Sequence, residues 1–319
     1  MAYGRMATYH AKMTQLSTLT RGAVTAAPLL IPALLACYLV WGSTYLAIRY
    51  ALLSFPPFFQ MGTRFLLAGG LLMGWLVFRK HKMPNRKEWG NAFVIGSLML
   101  GGAMGLVASA EQYIGSGLIA TFIAAFPMVA SGIGLFFGQR PGRLEWTGMA
   151  VGLAGVLLLA QGASFSAAPH ALLSITASIF LWSLGSVLST TRMPLAAGPT
   201  GFASEMLCGG AVLMVISLAL GEHHTFVQKL PLKPEAVAAW AYLVVFGSLI
   251  AFSAYLYLLA HATPAIATSY AFVNPVIAIF LGAFFAGEHV TGGEWMACGV
   301  ILMGVILIFR GKSATSRGK

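Results

Sequence analysis

Of the chain's 319 residues, 58% are hydrophobic and only 8% charged, with a mean hydropathy of +0.83. A water-soluble protein of that length needs more charge to cover its surface, so composition excludes a soluble domain and points to lipid. The formal net charge of +11 does not mean nucleic acid, because its lysines and arginines are scattered through short segments between apolar spans.

Windows of about 20 apolar residues, enough to cross a bilayer as a helix, begin after a tail over residues 1–28. In the first half they fall at 29–48, 57–78, 89–108, 115–137 and 145–162. The second half gives 169–190, 201–220, 236–259, 264–286 and 293–310, and residues 311–319 form a C-terminal tail. Barrel strands would run to about ten residues with alternating polarity, so the spans are helices. The tail holds three basic residues and no acid, and the span after it is too long for a signal-peptide core, so it is expected to be an uncleaved anchor. Connections are short, the longest being 221–235, which leaves no room for a soluble catalytic domain.

The two halves repeat. ATFIAAFPMVASGIGLFFGQ at 120–139 returns as ATSYAFVNPVIAIFLGAFFAGE at 267–288, with Pro127 on Pro275, Gly134 on Gly282 and Phe136 on Phe284. Glu145, Trp146 and Gly155 return as Glu294, Trp295 and Gly304, and a shift of 141 sets Trp41 on Trp182, Gly69 on Gly210 and Met73 on Met214. Five spans per copy is an odd number, so the second copy enters the membrane from the opposite side. The predicted fold is therefore an all-α integral membrane protein of ten transmembrane helices, with repeats 29–162 and 169–310 inverted about an axis in the membrane plane. That arrangement belongs to secondary transporters with a site near the midplane. With the N-terminus inside, inner segments hold 15 of the 19 lysines and arginines and outer loops hold Arg49, Lys229 and Lys233, so both termini are expected in the cytoplasm.

Trp75, Trp89, Trp146, Trp240 and Trp295 sit near span ends, as interfacial anchors do. Trp41 and Trp182 sit mid-span and are repeat mates, so they either wall a central cavity or pack between helices. Asn274 precedes Pro275 in the ninth span, where the proline leaves a carbonyl without its usual partner. The amide and that carbonyl would hold a polar substrate, or the amide would only satisfy a kink. Tyr270, one turn earlier on the same face, shares either fate. Pro127 and Pro275 are the expected kinks. Arg64 and Glu205 are ionisable groups within spans and correspond under the 141 shift. Inversion places them at mirrored depths, so each is expected to serve its own gate or helix end, with no salt bridge between them. Glu111, at the outer turn between the third and fourth spans, is the candidate for proton coupling, or with Ser116 it lines the outer mouth or caps the next helix.

The chain has seven histidines, and the loop ones, His261 among them, read as solvated groups. Cys37, Cys208 and Cys298 lie in spans without paired spacing, so no disulfide, metal or cofactor is expected. No nucleophile, base and orienter are grouped, which disfavours an enzyme, and no polar stripe or charged ring marks a channel.

WGSTYLAIRYAL at Trp41, PPFFQMGTRFLLAG at Pro56, AEQYIGSG at Ala110, LEWTGMAVGLAGVLL at Leu144, and ATSYAFVNPVIAIFLG with GEHVTGGEW carry a resemblance. In order and spacing they resemble the drug/metabolite transporter (DMT) superfamily of ten-helix chains with two EamA domains, closest to its YedA-like exporters. The resemblance implies a carrier in the bacterial inner membrane, exporting small metabolites, amino-acid-like compounds or drugs by alternating access. It favours Trp41, Trp182, Tyr270 and Asn274 as substrate contacts and adds Tyr255 and Ser109. The sequence departs from the family at Ala103-Met104-Gly105, where related chains often carry Gly-Asn-Gly, and at Gly115, where they carry proline. The tail is longer than usual for the family, which makes Met6 and Met13 alternative starts. Import by the same fold, proton antiport, facilitated diffusion and a homodimer stay open.

Overall fold

The computed structural model describes residues 29–138, 142–160, 169–261, 270–285, 287 and 289–317. The tail 1–28 with Met6 and Met13, and the side chains of Pro127, Glu145 and Pro275, lie outside the described residues. Among those described, every regular element is a helix. They are α1 (Leu30–Ala51), α2 (Pro57–Phe78), α3 (Arg86–Ala110), α4 (Ser116–Ile123), α5 (Phe126–Phe136), α6 (Arg143–Ala160), α7 (Pro169–Thr191) and α8 (Pro199–Ala219). There follow α9 (Glu222–Gln228), α10 (234–261), α11 (Tyr270–Phe285) and α12 (Gly292–Arg317). Among the described residues, α1, α2, α3, α7, α8 and α10 are each long and apolar enough to cross a membrane.

Local chemistry explains where these helices start. Pro57, Pro199 and Pro234 stand in the first turn of α2, α8 and α10, where the N–H that proline lacks would have no partner. Asn85 and Glu88 cap α3 reciprocally, as Thr291 and Glu294 cap α12. The fourth predicted span is broken: α4 stops at Ile123 and α5 begins at Phe126 with Pro127 in its first turn, whereas α11 runs unbroken through Pro275. The last helix also continues past the apolar span to Arg317.

The inversion is visible where repeat mates cross. A Cβ built on Gly69 of α2 would lie 3.2 Å from the Ala203 carbonyl oxygen of α8, and one on Gly210 of α8 would lie 3.2 Å from the Gly62 carbonyl oxygen of α2. Gly210 is the mate of Gly69 and Ala203 the mate of Gly62. In α6 and α12, a Cβ on Gly155 would sit 3.1 Å from the Ala297 carbonyl oxygen and one on Gly304 2.6 Å from that of Gly148, again mate for mate. In both pairs the contact on one helix retreats as the other advances, so the mates run antiparallel and the second copy is inverted. Glycine makes these approaches available because a side chain would strike backbone.

Three stretches wind as π-helix: Ala36–Trp41 in α1, Ser97–Met104 in α3 and Leu243–Ile250 in α10. The last two are mates under a shift of 146. π-turns loosen the carbonyl ladder, and they are frequent at functional sites.

The segment 221–235, the longest of the expected connections, folds over the α1–α2 hairpin. Glu222 of α9 accepts from the backbone N–H of Phe58 (3.2 Å) and Phe59 (2.7 Å) at the start of α2. Lys229 donates to the Leu52 carbonyl at the end of α1 (3.0 Å), and Ser54 Oγ accepts from the Lys233 N–H (2.9 Å). The anion thus faces a helix N-terminus and the cation a helix C-terminus, each matching the local dipole. Burial holds the Lys229 ammonium below its ordinary pKa, with Glu222 opposing that shift and Lys233 adding to it. Phe226 stacks on Phe55 and Phe59. Trp240, expected as an interfacial anchor, stacks on Phe55 and donates to Thr63 Oγ1 at 3.1 Å. Glu222→Gln should destabilise the protein by about 1 kcal/mol, the scale of a lost helix cap, visible as a lower melting temperature in detergent. A melt identical to that of the unaltered protein would show that the strap carries no stability.

Candidate functional site

The site is built where α1, α2, α10 and α11 meet. Trp41, the last residue of the π-stretch in α1, donates Nε1–H to the Gly247 carbonyl in the π-stretch of α10 at 3.2 Å. Ser43 Oγ and Tyr242 Oη lie 2.7 Å apart, and Cys37 Sγ reaches the Ala251 carbonyl at 3.7 Å. These contacts close an antiparallel seam between α1 and α10.

Aromatic rings gather around Trp41. Its ring centroid lies 5.3 Å from Phe252, 5.3 Å from Tyr255 and 4.6 Å from Tyr270, and the two tyrosine rings are 5.7 Å apart. The Tyr270 contact is edge-on, the arrangement that ring quadrupoles favour. Asn274 is buried one turn below Tyr270. With its amide nitrogen turned to the neighbouring carbonyls, it donates to Tyr270 at 3.1 Å and to Tyr38 at 3.3 Å. That joins α11 to the π-stretch of α1.

Arg64 of α2 approaches the same part of α10. Its Nε donates to Ser248 Oγ at 2.9 Å and one Nη to Met61 Sδ at 3.7 Å, with the guanidinium carbon 4.9 Å from the Phe65 ring centroid. A Cβ on Gly247 would meet Arg64 Nη2 at 3.1 Å and Thr44 Cγ2 at 3.2 Å, so the glycine lets arginine and tryptophan converge there. Arg64 thus turns to Ser248 and not to its repeat mate Glu205, which is buried on α8.

Trp41, Tyr255, Tyr270 and Asn274 are therefore brought together, with Arg64 beside them. Trp182 is half-buried on α7, and Ser109 lies near the end of α3, where its carbonyl accepts from Gln112. Pro127 stands at the α4–α5 break. Glu111 is buried and lines a cavity of about 400 Å³ with Arg49, Gln112 and Tyr113. Phe252, Gly247 and Ser248 complete the site without having been singled out in the sequence. The one clue to the last two was a glycine and a serine side by side in an apolar run.

Two inverted copies of apolar helices with a polar and aromatic site between them define a multi-pass membrane protein of the transporter class. The chain belongs to the EamA-like transporter family, whose model matches residues 28–161 and again 170–310. The uncharacterized inner membrane transporter YedA of Escherichia coli K12 is 42% identical over 284 residues, covering 89% of this chain and 91% of that protein. The uncharacterized transporter sll0355 of Synechocystis is 25% identical over 86% of this chain and 88% of its own length. Protein PecM of Dickeya dadantii is 24% identical over 85% and 86% respectively. A solved crystal structure, 18% identical with a TM-score of 0.60, aligns over 91% of this chain and 99% of its own, which speaks to the fold alone.

Proposed function

We propose that this protein is a secondary transporter of the bacterial inner membrane. In this reading it exports small metabolites, amino-acid-like compounds or drugs by alternating access, with ten spans and both termini in the cytoplasm. The observation that carries the reading is the antiparallel crossing of repeat mates, α2 on α8 and α6 on α12, beside an aromatic and polar site at the α1–α10 seam. Inverted halves can rock about such crossings and expose the site to each face in turn. The name of the inner membrane transporter YedA supports the location. The basic residues supply the orientation.

Uptake and counterflow in proteoliposomes, screened over amino acids and related metabolites with and without a pH gradient, tests this reading. Saturable flux that disappears in a Trp41→Ala, Asn274→Ala double variant is expected. Folded protein that moves no solute would shift the reading towards a membrane enzyme or a structural subunit. In the same assay Glu111 is the coupling carboxylate, because it is buried beside the cavity it shares with Arg49. Glu111→Gln should therefore abolish the acceleration by a pH gradient, and an unchanged pH response removes Glu111 from that role.

A further inference from the structure

Arg64 and Gln60 stand four residues apart on one face of α2 and are both buried, with Gln60 at 0% and Arg64 at 3% exposure. Neither is used up by the fold. Among the described residues, Gln60 Nε2 and Oε1 have no hydrogen-bond partner. Arg64 carries five N–H donors; Nε meets Ser248 and one Nη meets only a thioether, and among the described residues no carboxylate pairs with it. A buried guanidinium without a counter-charge and a buried amide without partners are both unfavourable. Such groups persist where another molecule completes them for part of a working cycle.

The chemistry of these groups is specific. A guanidinium fork matches the two oxygens of a carboxylate, and Gln60 Nε2 offers a further donor from the same face. Arg64 is the one buried cation among the described residues, so a singly charged head is neutralised there while a phosphate dianion would keep a buried negative charge. The head position adjoins the aromatic cluster. Gly247, whose carbonyl holds Trp41 Nε1, is the neighbour of Ser248, whose hydroxyl holds Arg64. The other repeat lacks this set: the mates of Gln60, Arg64 and Ser248 are Gly201, Glu205 and Gly102, so the site is single.

Resting on the transporter reading, we propose that Arg64, Gln60 and Ser248 bind the carboxylate of a monocarboxylate substrate whose flat apolar body lies against Trp41, Tyr255 and Tyr270. The test uses the full-length protein in proteoliposomes and three probes of one shape: 3-phenylpropanoate, 3-phenylpropanamide and 3-phenylpropylamine. The carboxylate should move at least about tenfold faster than the other two, and Arg64→Met should reduce its flux about 10- to 100-fold, the range of a lost charge-assisted hydrogen bond. Arg64→Lys should restore part of it. Gln60→Leu removes the amide without altering charge and should raise KM more than it lowers kcat, a split that a merely structural glutamine would not give. Size exclusion and thermal melting verify each variant. Equal flux of the amide or amine, carboxylate flux that survives Arg64→Met, or no flux of the carboxylate overturns the assignment. The transporter reading is decided separately by the wider metabolite screen, so flux of the amine or amide alone would leave it standing.

Discussion

Gly304→Leu is expected to prevent the protein from being recovered as a folded, monodisperse species in detergent. A Cβ at 304 would lie 2.5 Å from the Gly152 nitrogen and 2.6 Å from the Gly148 carbonyl oxygen, both backbone atoms of α6 that no rotamer change can move. Overpacking a core typically loses about 1–3 kcal/mol when side chains can shift. Here the helices themselves must separate, along the most extensive helix pair among the described residues, so the loss should exceed that range. Gly155→Leu meets the symmetric obstacle, 2.8 Å from the Ile301 nitrogen, and should fail in the same way. Gly299, on the same α12, has nothing within 4 Å of its Cβ position, so Gly299→Leu should melt like the unaltered protein. A Gly304→Leu protein as stable as Gly299→Leu would mean that α6 and α12 do not cross where the repeat places them.

These glycines also show why so much of the fold was legible. Close helix crossings in lipid need small residues at fixed depths, so the positions that record the symmetry are the ones that changed least between copies. Gly69 with Gly210 and Gly155 with Gly304 could be paired by arithmetic, and an odd number of spans turned that pairing into inversion. Trp41, Tyr270 and Asn274 could be picked because a polar or amphipathic residue in mid-span needs a reason to be there, whereas Tyr255 came only from the family resemblance. The strap was not legible: Glu222 meets α2 at a separation of 164 residues, and both ends of that contact look like ordinary loop chemistry. Ser248 and Gly247 were hidden for a different reason. Their role comes from a π-stretch, whose altered hydrogen-bond register leaves no mark in hydropathy or periodicity. The break before Pro127 and the continuous helix through Pro275 make the same point, since identical residues at repeat positions end differently in their two surroundings.

Trp41→Ala should abolish transport, while Trp182→Ala should reduce it only slightly, although the repeat makes the two residues equivalent. The physical difference is one-sided. Trp41 touches Phe252, Tyr255 and Tyr270 and donates to the Gly247 carbonyl, so truncation opens a gap at the α1–α10 seam and strands a carbonyl of the π-stretch. Trp41 is only partly buried, so its truncation should lose less than the ~3–5 kcal/mol of a fully buried tryptophan, and the orphaned carbonyl adds to that loss. The position that mirrors Gly247 under the 146 shift is Gly101 of α3, and a Cβ there would meet Val212 at 3.0 Å, an apolar neighbour in place of the Arg64 guanidinium. Trp41→Phe separates the two contributions: it keeps a ring against the tyrosines and loses the indole N–H, for about 0.5–1.5 kcal/mol, the net scale of one hydrogen bond. Flux through Trp41→Phe should therefore lie between the unaltered protein and Trp41→Ala, with the larger effect on KM. Counterflow measured on all three variants, each verified by melting, checks the order. If Trp182→Ala proves as damaging as Trp41→Ala, the working site spans both halves symmetrically and does not sit on the α1, α2, α10 and α11 side alone.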